Sequence, residues 1–264
     1  MDVGLFRELV WAKGRELYRD MPWRDEPTFY HVLVSELMLQ QTQVSRVLGK
    51  YNEFMDRFPT IADLASASLA DVLRVWQGLG YNRRAKYLHE ASRVVMHHGQ
   101  PASMKELLAL PGVGAGTAGA IMNYVYQIPT AYIETNIRTV YFNHFFFDQQ
   151  YVSDTELTAM VEQTMDREHP REWFWALMDY GAELKQQRSV RLDKSIHYKK
   201  QSALAGSVRQ VRGQIIHQLT KDSQSKESLA RLLHADKRFQ VALDGLLKDG
   251  LIQYDSAGNI ELTK

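Results

Sequence analysis

Apolar residues recur every three or four positions along most of the chain, from Leu5 to Leu247. This spacing puts them on one face of a helix, and the alternation typical of strands is rare before the last residues. The pattern predicts a mostly α protein. The predicted helices cover residues 3–19, 28–49, 60–66, 69–78, 83–98, 104–109, 115–126, 135–147, 154–167, 171–184, 206–220, 226–233 and 237–249.

The pattern changes near the C-terminal end. Three short helices from about Ala205 precede the stretch LIQYDSAGNIEL, in which Gly258 and Asn259 predict a turn between two short strands. This order is that of a winged-helix-like module. Some modules of this kind bind DNA, and others bind a protein partner. The spacing of apolar residues does not distinguish between these two uses.

The stretch LPGVGAG, residues 110–116, separates two helical runs. Each glycine costs about 1 kcal/mol inside a helix, so three of them with a proline predict a turn. A helix-hairpin-helix has this pattern, because its glycines let backbone N–H groups at a helix N-terminus face outward and bind a phosphate. A plain corner between two helices is the alternative.

Composition narrows the chemistry. With 264 residues, 45% of them apolar, the chain can bury a core, and it has no cysteine, which excludes disulfides, thiolate metal sites and cysteine-bound clusters. The nine histidines show no metal-binding spacing. Because neither a signal-peptide core nor a long uncharged apolar run occurs, we expect a cytoplasmic, nucleoid-associated protein without membrane contact.

Charge is unevenly distributed. Although the net charge is only +1, residues 185–213 hold eight lysines and arginines against one aspartate, a local charge of +7. This segment is either a solvated linker or a strip that binds phosphates.

Glu36 has apolar neighbours at helical spacing, namely Val32, Leu33 and Leu39. Its carboxyl group should therefore lie on an apolar stripe. Desolvation raises the pKa of such a group, and a carboxyl that stays protonated near neutral pH can act as a general acid. The alternative is a partly buried glutamate paired with an arginine.

Glu134 has a different predicted setting. It follows the extended stretch IPTAYI and begins a helix, where the helix dipole and the unpaired N–H groups favour an ionised carboxylate. One carboxyl group is thus predicted to stay protonated and the other to be ionised. Such a pair suits a reaction in which the acid protonates a departing base and the anion stabilises the sugar cation. The alternative is that Glu134 only caps its helix.

Seven ordered stretches resemble the MutY-type adenine DNA glycosylases of the helix-hairpin-helix (HhH-GPD) superfamily, over roughly residues 20–184. The stretches LMLQQTQV and GLGY favour the MutY-like branch over endonuclease III-like relatives. The seven are PWR (22–24), SELMLQQTQV (35–44), FPTIADLA (58–65), WQGLGY (76–81), LPGVGAGTAGAI (110–121), ETNIRTV (134–140) and ALMDYGA (176–182).

The resemblance implies a two-domain helix-hairpin-helix DNA glycosylase fold, followed here by the winged-helix-like module. The implied domains are a six-helix barrel with the hairpin at 22–132, a second helical domain formed by 1–21 and 133–200, and the module at 201–264. MutY enzymes carry a domain that reads 8-oxoguanine where this module stands, so recognition of that lesion is an open question.

The resemblance also implies residue roles. Glu36 occupies the position of the glutamate that protonates the departing adenine. Glu134 stands where the family has an aspartate that stabilises the sugar cation, and the extra methylene moves its carboxylate by about 1.5 Å. Asn136 matches an asparagine beside that acid. Positions that line the base pocket are matched by Trp23, Arg24 and Asp179.

Other matching positions contact DNA. Gln41 and Tyr81 correspond to residues that fill the gap left by the flipped base, with Tyr81 stacked beside the opposite base. Without the resemblance they would be a surface amide and a core tyrosine. The hairpin backbone that grips phosphate is formed by Gly112, Val113, Gly114 and Gly116.

This sequence differs from the family pattern at two places that bear on the expected activity. Bifunctional relatives have a lysine at the position of Gly116, so this chain is predicted to be monofunctional and to leave an abasic site. Family members have four cysteines, the first of them near the position of Lys185. This chain lacks all four, so no iron–sulfur cluster is expected. We predict that the basic segment, with Lys194, Lys199 and Lys200, takes over DNA contact there.

The predicted function is hydrolysis of the N-glycosidic bond of a flipped mispaired base, adenine opposite 8-oxoguanine or guanine. The alternatives are a mismatch thymine or uracil glycosylase of the same fold and a lesion-binding protein without catalysis. The expected partner is double-stranded DNA with a mispaired or damaged base, bound by a monomer. No cofactor is expected, and the one option left open is a monovalent cation at the hairpin.

Overall fold

The computed structural model describes residues 1–187 and 203–264, and it is mostly α-helical, as predicted. The helices are α1 Val3–Glu16, α2 Pro22–Asp25, α3 Phe29–Leu39, α4 Val44–Arg57, α5 Ile61–Ser66, α6 Leu69–Val75, α7 Arg83–His98, α8 Met104–Leu108, α9 Ala115–Tyr124, α10 Thr135–His144, α11 Asp154–Thr164, α12 Pro170–Gln186, α13 Val208–Leu219, α14 Lys226–Leu232 and α15 Lys237–Lys248. Strands β1 Ile252–Tyr254 and β2 Ile260–Leu262 follow.

Local signals set several of these boundaries. Thr60 and Asp63 form a capping box at the start of α5, with the Asp63 N–H donating to Thr60 Oγ1 over 3.2 Å. Gly99, at φ 89°, ends α7. None of the described helices is long and apolar enough to cross a membrane.

The chain divides into two compact units, and α3 begins in the first and continues into the second. Unit 1 comprises residues 1–33, 101–109 and 113–200, and unit 2 comprises residues 34–100, 110–112 and 201–264. These boundaries differ from those of the three predicted domains, and that assignment stays a prediction.

Unit 1 is organised around α12, which packs against α1 and α10. Trp173 is fully buried, and its ring centroid lies 6.1 Å from that of Phe6 on α1. The helices approach closely at Gly14, where a Cβ atom would stand 2.5 Å from the Cβ of Ala176. Only glycine permits this spacing between α1 and α12.

Unit 2 contains α4–α7 together with the C-terminal helices. Helix α13 packs on α15, and β1 pairs with β2 in antiparallel register, with Ile252 opposite Leu262. Gly258, at φ 81°, lies in the connecting turn, where the Asp255 N–H donates to the Asn259 carbonyl over 2.8 Å. The predicted three helices and two strands are therefore present, and their assignment to a winged-helix-like module stays a prediction.

The single helix predicted over 28–49 is wrong. Helix α3 ends at Leu39 and α4 begins at Val44, because Gln41 adopts a left-handed conformation with φ 55°. The short helix α2 and the extension of α4 to Arg57 also differ from the prediction. Apolar spacing continues through the break, so the pattern alone does not reveal it.

Candidate functional site

Glu36 lies on the part of α3 that belongs to unit 2. Its side chain is half-buried, as is that of Leu39, while Val32 and Leu33 are 2% and 0% exposed. The predicted apolar stripe around this carboxyl group is therefore present.

Glu134 caps the N-terminus of α10 in unit 1. Its Oε1 atom accepts the backbone N–H of Ile137 at 2.8 Å and also the N–H of Asn136. The predicted position at a helix start is thus observed. The N–H donors of Asn136 and Ile137 and the charge of Lys185 favour the ionised form, as predicted, but burial is the larger effect and raises the pKa of Glu134.

Asn136 lies within the same local structure. Its Oδ1 accepts a hydrogen bond from Lys185 Nζ at 3.3 Å, which brings an exposed cation to the start of α10. Gly181 makes this arrangement possible, since a Cβ there would stand 2.3 Å from the Asn136 carbonyl oxygen. The start of α10 and the last turns of α12 are therefore fixed against each other.

Arg24 and Asp179, two of the residues predicted to line the base pocket, form a buried ion pair in unit 1. Arg24 Nη1 and Nη2 donate to Asp179 Oδ2 and Oδ1 over 2.7 and 3.0 Å. Arg19, which the sequence reasoning missed, adds a bond of 2.6 Å to Oδ1. Trp23 is also buried. This bidentate pair fixes the segment before α3 onto α12.

The predicted hairpin is formed by α8, a turn and α9. Gly112 has φ 77°, and a Cβ there would stand 2.7 Å from the Cβ of Tyr87, so both the turn and the packing require glycine. Gly114 is the N-cap of α9 and supplies no side-chain acceptor. The first N–H groups of α9 thus lack a side-chain cap, which is the arrangement that binds anions at helix N-termini.

Gln41 and Tyr81 line one groove in unit 2, and both have left-handed backbones, with φ 55° and 47°. Non-glycine residues pay energy for this conformation and hold it only where their surroundings enforce it. The groove has a volume of 1220 Å³ and extends from the segment Gln77–Arg84 to α13. We call it the α13 groove.

Residues 34–166 match the HhH-GPD superfamily of base excision DNA repair proteins. The adenine DNA glycosylase of Mycolicibacterium smegmatis is 35% identical over 92% of this chain and 91% of its own length. The chain belongs to the HhH-GPD superfamily. The human adenine DNA glycosylase is 37% identical over 69% of this chain, which spans only 36% of that longer protein.

Solved HhH-GPD-like structures agree with the fold. A thermostable thymine-DNA glycosylase superposes with a TM-score of 0.61 over 68% of this chain and 86% of its own, at 24% identity. An endonuclease III–DNA complex superposes with a TM-score of 0.58 over 67% of this chain and 85% of its own, at 15% identity. The resemblance to MutY-type proteins drawn from the sequence motifs is confirmed by the match to the HhH-GPD superfamily and by the similarity to adenine DNA glycosylases.

Sequence reasoning missed Arg84, which lines the α13 groove together with Gln41 and Tyr81. It is 6% exposed, and burial lowers its pKa to about 10, so it remains charged at neutral pH. It stands four residues before the buried Leu88 on α7, and a cation on the apolar face of a helix is the signal that could have revealed it. Its guanidinium donates to the carbonyl oxygens of Leu37, Met38, Gln40, Leu79 and Gly80.

These bonds explain the conformation of the two predicted DNA-contacting residues. Arg84 binds the carbonyls at the end of α3, immediately before Gln41, and those immediately before Tyr81. It therefore holds both left-handed residues in place from one buried position. The predicted contacts of Lys194, Lys199 and Lys200 lie outside the described residues.

Proposed function

We propose that this HhH-GPD protein is a monofunctional DNA glycosylase that hydrolyses the N-glycosidic bond of adenine mispaired with 8-oxoguanine or guanine. The observation that carries the proposal is the pair of carboxyl groups, one on the apolar face of α3 and one at the N-terminus of α10. The extensive similarity to adenine DNA glycosylases supports the choice of base.

In the proposed reaction, Glu36 donates its proton to the departing adenine as the bond to the sugar breaks. The carboxylate of Glu134 stabilises the positive charge that develops on the sugar, and that charge favours its ionised form despite burial. Water then supplies a hydroxyl group to the anomeric carbon, and its remaining proton restores Glu36. An abasic site and free adenine are the products.

The remaining residues support DNA binding in this proposal. Trp23, Arg24 and Asp179 border the base pocket, Asn136 accompanies Glu134, and the hairpin at Gly112, Val113, Gly114 and Gly116 binds phosphate. Gln41 and Tyr81 fill the space of the flipped base. We expect a monomer that acts on double-stranded DNA in the cytoplasm, with the nucleoid.

The test is a single-turnover panel of duplexes that contain A·8-oxoguanine, A·G, T·G or U·G, treated with wild type and Glu36→Gln. We expect adenine release from the first two duplexes by wild type alone. Release from only T·G and U·G would instead identify a mismatch pyrimidine glycosylase. Specific binding without release of any base would identify a lesion-binding protein.

A further inference from the structure

Helix α13 is a fixed wall of the groove that contains Tyr81. Asp249, which follows α15, forms an ion pair of 2.5 Å with Arg212 of α13. The backbone carbonyl oxygen of Asp249 accepts a hydrogen bond of 2.7 Å from Lys86 of α7. Arg74 of α6 donates to the carbonyl of Thr220, just after α13. The C-terminal helices thus belong to the same compact unit as Gln41 and Tyr81.

The two faces of α13 differ in chemistry. Val211, Ile215 and Leu219 are buried in the core of unit 2. The opposite face borders the α13 groove with amide, imidazole and guanidinium groups, including those of Gln214 and His217, which are both exposed. Amide side chains offer donors and acceptors, and this combination suits the edge of a nucleobase.

The α13 groove is positively charged. Its lining contains five arginines, and the one carboxylate among its described residues is Asp249, which is paired with Arg212. Arg84 is occupied by backbone carbonyls, whereas Arg46 and Arg83 are exposed, and Arg83 Nε also lies 3.6 Å from Asp249 Oδ2. This excess of cations is complementary to a polyanion.

An aromatic ring lies within this charged groove. The guanidinium carbon of Arg209, on α13, is 5.1 Å from the centroid of the Tyr81 ring, and that of Arg84 is 5.5 Å away. Arg209 Nη1 also donates to the Tyr81 hydroxyl. Stacking surfaces, cations and amides in one groove are the combination that binds an unstacked nucleic-acid strand.

We propose that the α13 groove binds the DNA strand opposite the excised base, and that Arg209 recognises the purine on that strand through its planar guanidinium. The inference rests on the proposed function for the identity of the strand. Arginine binds the O6 and N7 edge of guanine with two hydrogen bonds, a geometry that lysine cannot reproduce. Helix α13 would thereby contribute to the choice of the opposite base.

The test measures binding to duplexes that carry a tetrahydrofuran abasic analogue opposite guanine, 8-oxoguanine or cytosine, by fluorescence anisotropy across a salt series. Wild type is compared with Arg209→Ala, Arg209→Lys and a matched control, Arg231→Ala. Arg231 is an exposed arginine on α14 that does not line the groove. Thermal unfolding of each variant shows that the fold is retained.

We expect Arg209→Ala to weaken binding to the guanine-containing duplex by about tenfold and to bring the guanine-to-cytosine affinity ratio close to one. The 8-oxoguanine duplex should be affected less, because N7 of that base carries a hydrogen and cannot accept the second bond. Arg209→Lys should retain most of the salt dependence but lose the ratio, and Arg231→Ala should match wild type. Wild-type affinity and ratio in Arg209→Ala, or full discrimination in Arg209→Lys, would overturn the inference.

The binding assay does not require catalysis, so the two proposals can fail separately. If wild type releases no adenine in the single-turnover panel but Arg209→Ala loses discrimination, the proposed reaction fails and the binding surface stands. If adenine is released and Arg209→Ala binds all duplexes as wild type does, only the inference about α13 fails.

Discussion

The two carboxyl groups of the proposed site have the same chemistry and different surroundings. Glu36 lies within α3, beside buried aliphatic side chains, whereas Glu134 begins α10 and accepts two backbone N–H bonds. Yet burial raises the pKa of Glu134, so the helix terminus offsets only part of the cost of desolvating this carboxylate. A helix terminus stabilises a carboxylate only as far as it offsets the cost of desolvation.

The largest expected effect comes from Glu36→Gln, which keeps the size of the side chain and removes its acidic proton. We expect the single-turnover rate of adenine release to fall by about a thousandfold or more, within the range for loss of a general acid. Binding to an uncleavable duplex should remain within about threefold of wild type. A rate close to that of wild type would remove Glu36 from the mechanism.

Glu134 allows a finer comparison, because two substitutions separate its charge from its length. Glu134→Gln keeps an oxygen acceptor for the start of α10 but loses the charge, and we expect about a hundredfold loss of rate. Glu134→Asp keeps the charge and restores the family residue. Its rate should stay within tenfold of wild type, and equal losses in both variants would point to a capping role alone.

Gly116→Lys tests whether the reaction depends on water as the nucleophile. A Cβ at this position meets only the Ile133 carbonyl oxygen, at 3.8 Å, so a side chain can be accommodated. We expect a borohydride-trappable adduct with DNA in this variant and none with wild type. Trapping by wild type would contradict the monofunctional assignment.

Replacing Lys194, Lys199 and Lys200 with glutamate should change DNA binding without altering the carboxyl groups of Glu36 and Glu134. We expect weaker DNA affinity and a salt slope lower by up to about three, with the rate at saturating protein unchanged. The measurement is the dissociation constant across a salt series. An unchanged affinity and slope would exclude this segment from the DNA-binding surface.

The smallest effect concerns stability. Because the pKa of Glu134 is raised above its usual 4.5, the native state binds more protons than the unfolded state, and its stability decreases as pH rises through that interval. Glu134→Gln cannot titrate. Its stability relative to wild type should therefore increase in urea unfolding as the pH rises above about 4.5, and a difference independent of pH would argue against the shift.

Much of the architecture was predictable because local rules determine it. The capping pair of Thr60 and Asp63, the Gly99 terminus and the turn at Gly258 follow from short-range chemistry, and each occurs where the sequence indicates. The break between α3 and α4 was not predictable in this way. It depends on Arg84, more than forty residues away, which binds the carbonyl groups that a continuous helix would use itself.

The candidate site residues also have features that depend on residues distant along the chain. The position of Glu134 at a helix start follows from sequence, but the direction of its pKa shift depends on burial by residues that are distant along the chain. The contact between Arg209 and Tyr81 likewise joins positions 128 residues apart. Only tertiary packing reveals such pairs, so a single sequence without structure could not identify Arg84 and Arg209 as contacts of Tyr81, or Arg19 as a contact of Asp179.

The connectivity of unit 2 has a consequence for biosynthesis. Because residues 34–100 share one compact unit with residues 201–264, the ribosome must make the intervening residues 101–200, most of which belong to unit 1, before the partner helices of α6 and α7 exist. The Arg74 and Lys86 side chains of these earlier helices therefore lack their carbonyl acceptors until the C-terminal helices emerge. A stalled or truncated product would lack both bonds.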